Sequence, residues 1–136
     1  MILVLQTNIP GRLQVWLFDG HGALQISKSR LISYHGSEHL LRLVDSVLKA
    51  KKIKLNRIKR IIVVRGPGPF TAVRTGLITA NTVGYLYDIP VVGVVTVGVL
   101  TPEVIAATVK KSKAKRWTLV RPWYGREPNI SKPKRR

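Results

Sequence analysis

The sequence predicts an α/β domain in which a mixed five-stranded sheet carries helices on its faces. Three observations lead there. Residues 2–5, 61–64 and 91–95 are short apolar runs of the kind that form strands buried on both faces. Residues 13–18 alternate instead, with Leu13, Val15 and Leu17 on one side and Gln14, Trp16 and Phe18 on the other, and Asp19-Gly20 follows as a hairpin turn. Between and after the later apolar runs lie segments whose apolar residues recur at helical spacing.

The chain opens with the run at residues 2–5, broken by the turn formers Asn8, Pro10 and Gly11. The alternating second strand enters a turn that needs positive φ at Asp19-Gly20, so residues 23–29 return antiparallel and complete a meander. Leu40, Leu41, Val44, Val47 and Leu48 then fall on one helical stripe, opposite Arg42, Asp45 and Lys49, in a helix capped near Ser37. A basic exit loop, residues 49–54, leads to the central strand at residues 61–64. That strand stops at Arg65-Gly66-Pro67-Gly68-Pro69, where two glycines supply unusual backbone angles and two prolines fix φ. Phe70, Val73, Leu77, Ala80 and Gly84 follow at spacings of three, four, three and four in a second helix, which Ile89-Pro90 ends. After the strand at residues 91–95, Thr101-Pro102-Glu103 reads as a helix start, with an N-cap, a first-turn proline and an early acid, for a helix of about ten residues. Right-handed crossovers would lay the strands after each helix parallel to the first. Residues 1–111 form this lobe, and residues 112–136 a basic, aperiodic tail.

Composition narrows the function classes. The chain has 136 residues, enough for one domain, with 24 Lys and Arg against six acids and a formal charge of +18. That excess favours polyanionic partners such as RNA; an acidic protein partner or adaptation to an unusual cytoplasm would also account for it. The absence of cysteine excludes a disulfide framework and thiolate metal ligation. Residues 1–5 lack a basic flank and meet Gln6-Thr7-Asn8 too soon for a signal peptide, and no apolar run reaches membrane-spanning length, so a cytoplasmic protein without a membrane partner is expected.

Residues 65–77, Arg-Gly-Pro-Gly-Pro-Phe-Thr-Ala-Val-Arg-Thr-Gly-Leu, resemble the hallmark of the TsaB family, whose pattern is close to GRGPGSFTGLRIGL. Pro69 stands where that family favours Ser, and Ala72 where it favours Gly. Ser37-Glu38 before Leu40-Leu41 resembles the start of the family's first helix, and Pro122-Trp123-Tyr124-Gly125-Arg126 resembles its C-terminal Pro-x-Tyr-x-Arg segment. The resemblance implies a single ribonuclease-H-like, actin-like ATPase lobe of the superfold shared with sugar kinases and Hsp70, in a shortened member of the family. It also implies a non-catalytic subunit pairing with TsaD, beside the ATPase TsaE, in threonylcarbamoyladenosine modification of tRNA. tRNA would be met through the complex, and the chain could pair with itself when alone. No cofactor is implied for the chain itself, with ATP or ADP at a partner interface left open. The alternatives are a nucleotide-binding enzyme of the same superfold and a basic RNA-binding module.

Candidate sites follow from the residues. Catalytic relatives of the superfold end the first strand with an acid that holds Mg-nucleotide; here Gln6-Thr7-Asn8 offers no carboxylate for a hard cation. Arg65, Gly66, Gly68, Thr71 and Arg74 surround a helix N-terminus suited to an anion, although such turns more often serve connectivity. His35 and His39, four apart with only His21 besides, fall short of a zinc ligand set, and no metal is expected. No nucleophile elbow is present, and no catalytic residue is assigned. Lys113, Lys115, Arg116, Arg121, Lys132, Lys134, Arg135 and Arg136, interleaved with Trp117, Trp123 and Tyr124, suit tRNA or form a solvated tail. Ala72, Gly76, Thr79 and Val83 make a stripe of mostly small residues beside the core stripe of the second helix, which together with Leu40, Leu43 and Val47 is expected to form a partner face. A mid-helix glycine suggests close approach by another backbone, so Gly76→Arg is expected to abolish pairing yet leave the fold intact.

Overall fold

The structure is a computed structural model describing residues 1–33, 36–112 and 114–123. Its elements are β1 (Ile2–Gln6), β2 (Arg12–Phe18), β3 (Leu24–Leu31), α1 (Gly36–Ala50), a short 3-10 turn (Leu55–Arg57), β4 (Arg60–Gly66), α2 (Phe70–Tyr87), β5 (Val91–Val95) and α3 (Pro102–Lys111). The five strands form one mixed sheet in the order β3-β2-β1-β4-β5. β1 pairs antiparallel with β2 and parallel with β4, and β4 pairs parallel with β5, as the crossover rule predicts. Among the described residues no helix is long and apolar enough to cross a membrane.

Continuous apolar strands make sense once both faces are covered. Alternation sends Leu3, Leu5, Ile61 and Val63 into the layer under α1 and α2, and Ile2, Val4, Ile62 and Val64 into the layer under α3. β2 behaves likewise, with Leu13, Val15 and Leu17 facing the first layer and Trp16 and Phe18 the second, so even its nominally outer side is buried. Truncating a core leucine such as Leu3 or Leu17 to alanine is worth about 2–5 kcal/mol in such an interior.

Several expectations need correction. The hairpin is longer than a two-residue turn: Asp19 N–H donates to Ala23 O, the Asp19 carboxylate accepts from the His21 and Ala23 N–H groups, and positive φ falls at Gly22. The Ala23 N–H, helped by that of His21, holds the Asp19 carboxyl below its ordinary pKa. On α1, Leu43 is buried and Leu41 is 55% exposed, because the core arc centres on Leu40, Val44 and Val47. The cap expected near Ser37 involves His35 and the Ser37 side chain, which lie outside the described residues. β5 is only partly buried, as an edge strand with one neighbour.

Helix ends follow the chemistry of their residues. Thr101 Oγ1 accepts from Val104 N–H, Pro102 occupies the first turn, and α3 runs for ten residues. α2 ends where Asp88 turns left-handed and Pro90 follows. α1 ends at Ala50, and Lys52 just beyond it is also left-handed, with Lys52 N–H donating to Lys49 O and Ile53 N–H to Leu48 O. Beyond α3, residues 115–123 are no solvated tail. They run as an extended strap that lays Trp117 and Val120 against the core.

Candidate functional site

The carboxyl ends of β1, β4 and β5 converge on Gln6, Thr7 and Asn8, all of them buried. Gln6 Nε2 donates to Asn8 Oδ1 at 2.9 Å and to Gly98 O at 2.7 Å, and Gln6 Oε1 accepts from Leu100 N–H at 2.9 Å. Asn8 Nδ2 donates to Pro67 O at 2.8 Å and Thr96 O at 2.9 Å, while Thr7 Oγ1 donates to Ala72 O at 2.6 Å. The three side chains thus tie the end of β1 to the β4–α2 turn and to the loop between β5 and α3. Both carboxamide nitrogens face carbonyl oxygens, so the site is built for neutral donors; a carboxylate there would meet acceptors.

The residues expected around an anion are held by contacts within the fold, with Thr71 and Arg74 lining one small pocket beside Phe70. Gly68 lies so close to Asn8 that a Cβ would come within 2.7 Å of Asn8 O, and the space beside Gly66 is filled by the Trp123 backbone. Arg65 Nε donates to Arg121 O at 2.9 Å, and the Arg74 guanidinium stacks over the Phe70 ring at 5.0 Å. Thr71 is exposed on the first turn of α2, and its carbonyl accepts from Thr75 Oγ1. These contacts account for the glycines and arginines as connections within the fold.

The expected partner face also divides. Leu40, Leu43 and Val47 are core residues, and Gly76 and Thr79 are buried with them, so none is a free surface of this chain. The element that approaches Gly76 is the end of β1: a Cβ on Gly76 would come within 2.6 Å of Thr7 Oγ1. Thr79 Oγ1 donates to Thr75 O, while Ala72 and Val83 remain half-buried. What α1 and α2 leave open is an apolar groove of about 390 Å³ between them, with Leu41, Val44 and Leu48 on one wall, Ala80 and Val83 on the other, and Leu3 and Leu5 at its floor. The small residues of α2 keep the groove wide, and exposed Leu41 on its rim is the residue that the helical stripe assigns to the core.

The strap is fastened to α2 and β4 through its backbone. Asn81 grips Val120 twice, Nδ2 donating to its carbonyl at 2.9 Å and Oδ1 accepting from its N–H at 3.0 Å. Trp123 N–H donates to Arg65 O at 2.8 Å, Trp117 N–H to Asp88 Oδ1 at 3.3 Å, and the Trp117 ring meets Tyr85 edge-on at 5.2 Å. Lys115, Arg116 and Arg121 stay exposed on it, Arg116 within 3.9 Å of Asp88. Lys113, Tyr124, Lys132, Lys134, Arg135 and Arg136 lie outside the described residues, as does His35. His39 is half-buried on α1 and His21 exposed in the hairpin loop, and the described residues contain no group of three His, Cys, Asp or Glu able to hold a metal.

A family model described as TsaD, tRNA N6-adenosine threonylcarbamoyltransferase, matches residues 30–113, more than half of the chain. The chain belongs to this tRNA-modification family. Within it the chain is YeaZ-like, that is, TsaB-like: the solved structure of YeaZ from Pseudomonas aeruginosa superposes with a TM-score of 0.63 at 26% identity, over 69% of this chain and 43% of that one. A second Pseudomonas aeruginosa structure, of a protein similar to the peptidase YeaZ, superposes equally well. Sequence relatives include an uncharacterised Mycobacterium leprae protein, 29% identical over 73% of this chain and 28% of its own length. A Mycobacterium tuberculosis protein is 32% identical over 57% of this chain and 38% of its length. The chain therefore spans less than half the length of these relatives and solved structures.

Proposed function

We propose that the chain is a non-catalytic partner subunit in threonylcarbamoyladenosine modification of tRNA, pairing through its first two helices with a TsaD-like catalytic subunit. The observation that carries the reading is the apolar groove between α1 and α2, lined by Leu41, Val44, Ala80 and Val83 and open at the surface of the lobe. A helix edge of the catalytic subunit seated there would bury the Leu41 side chain and fill the groove. A TsaE-like ATPase and tRNA would join through that complex, and any ATP or ADP would sit at a partner interface. The carboxamide network at the end of β1 supports a non-catalytic role, because Gln6 and Asn8 spend their donors on backbone carbonyls where a Mg-nucleotide site would need a carboxylate. The test is co-expression with the TsaD-like subunit of the same cell. The two chains are expected to elute together and to modify tRNA only when both are present; separate elution would defeat the reading.

A further inference from the structure

The parallel strands have two ends, and the candidate site above occupies only one. At the other, the amino ends of β1, β4 and β5 meet the carboxyl ends of the helices. Lys59 N–H donates to Met1 O, and Arg60 Nη1 reaches across to Val109 O in the last turn of α3. Three basic segments fall at this end of the elements: Lys51, Lys52 and Lys54 after α1, Arg57 and Lys59 before β4, and Lys110 and Lys111 at the end of α3. All of these side chains are exposed. A recess of about 360 Å³ opens beside Lys59, lined also by Lys115, Tyr87 and Asp88.

The acids at this end are already occupied. Asp45 pairs with Lys49 at 2.8 Å, Asp88 holds the strap through Trp117 N–H and Arg116, and Asp19 accepts from its own loop. Lys51, Lys52, Lys54, Lys59, Lys110 and Lys111 have no ion-pair partner among the described residues. Cations in a last helical turn offset the helix dipole, which accounts for Lys49, Lys110 and Lys111. It does not account for the lysines beyond the helix. Lys52 in particular sits at φ 54°, a left-handed position where glycine would be easier to accommodate. A cation is kept there against the local backbone preference.

We infer that this basic end of the sheet is a binding surface for the RNA backbone, with the recess beside Tyr87 able to take an unpaired base. The identity of the polyanion as tRNA rests on the reading of the chain as a tRNA-modification subunit; the surface itself rests on the charge and its placement. Phosphates would displace the counterions that now neutralise the lysines, and a tyrosine ring offers a stacking face to any base. A polar recess between lysines suits a nucleotide better than it suits an acyl chain.

The test uses the full chain and a fluorescently labelled tRNA transcript, titrated across a range of salt. Lys51→Gln, Lys59→Gln and Lys110→Gln together are expected to weaken binding at least about tenfold and to reduce the slope of log K against log salt by roughly 2 to 3. A control with equal charge removed at the opposite end and on the edge strand, Lys28→Gln, Arg30→Gln and Arg74→Gln, is expected to keep most of the affinity. Lys52→Gly should melt higher than the natural chain and bind tRNA more weakly. Unchanged affinity in the first variant, equal loss in the control, or loss confined to phosphatidylserine vesicles would each overturn the inference. Co-elution of the same variants with the TsaD-like subunit is read in parallel, so a failure of pairing is seen separately from a failure of RNA binding.

Discussion

A carboxamide donates where a carboxylate cannot, and at the end of β1 that difference decides what the residue scale can do. Asn8 places its NH₂ group against carbonyls of two different loops, and Gln6 places its own against Gly98 O and the Asn8 side chain. The lack of an acid at Gln6-Thr7-Asn8 was legible in the sequence. The network was not, because its partners Pro67, Thr96, Gly98 and Leu100 lie far along the chain and offer only backbone atoms. Asn8→Asp keeps the shape and removes the donors, leaving Pro67 O and Thr96 O facing a buried charge. The variant is expected to lose about 2–3 kcal/mol at neutral pH in urea unfolding, with no gain of ATP hydrolysis. Stability equal to the natural chain would mean that the network carries no energetic weight.

At the scale of elements, period and turn chemistry serve well where one principle acts alone. Thr101-Pro102-Glu103 starts α3 as expected, and Pro90 follows the end of α2. The pattern misleads where two residues flank one arc. Leu41 and Leu43 lie on either side of the Leu40, Val44 and Val47 stripe, and only the position of the sheet tells which of them is covered. The sequence marks Gly76 as a point of close approach, yet it cannot say to what, and Thr7 proves to be the neighbour. The mutational expectation therefore moves from one residue to another. Gly76→Arg should drive a charged chain into Thr7 and unfold the isolated domain. Leu41→Arg, on the exposed groove rim, should leave circular dichroism and melting nearly unchanged while abolishing co-elution with the TsaD-like subunit. If Leu41→Arg pairs normally, the groove is not the partner face.

The described residues form one sheet with a helical layer on each side and a strap across α2, and the strap changes how the basic tail must be tested. The sheet order was legible because apolar runs, one hairpin and two crossovers leave few arrangements. The strap was not, since its hold consists of Asn81, Asp88 and Arg65 meeting backbone groups, a pattern without periodicity. A cut after Lys111 would remove the tail's charge, but it would also uncover the apolar surface under Trp117 and Val120 and leave Asn81 without either of its partners. That shortened chain is expected to melt well below the full one, so any loss of RNA binding would be uninterpretable. A cut after Trp123 keeps every described contact and removes Arg126, Lys132, Lys134, Arg135 and Arg136 against a single acid, Glu127. This chain should melt like the full one. If the tail meets phosphates, its affinity for tRNA should fall and its salt slope should drop by up to about four. Equal affinity and equal slope in the two chains would assign the RNA contacts to the folded lobe and leave residues 124–136 as solvated charge.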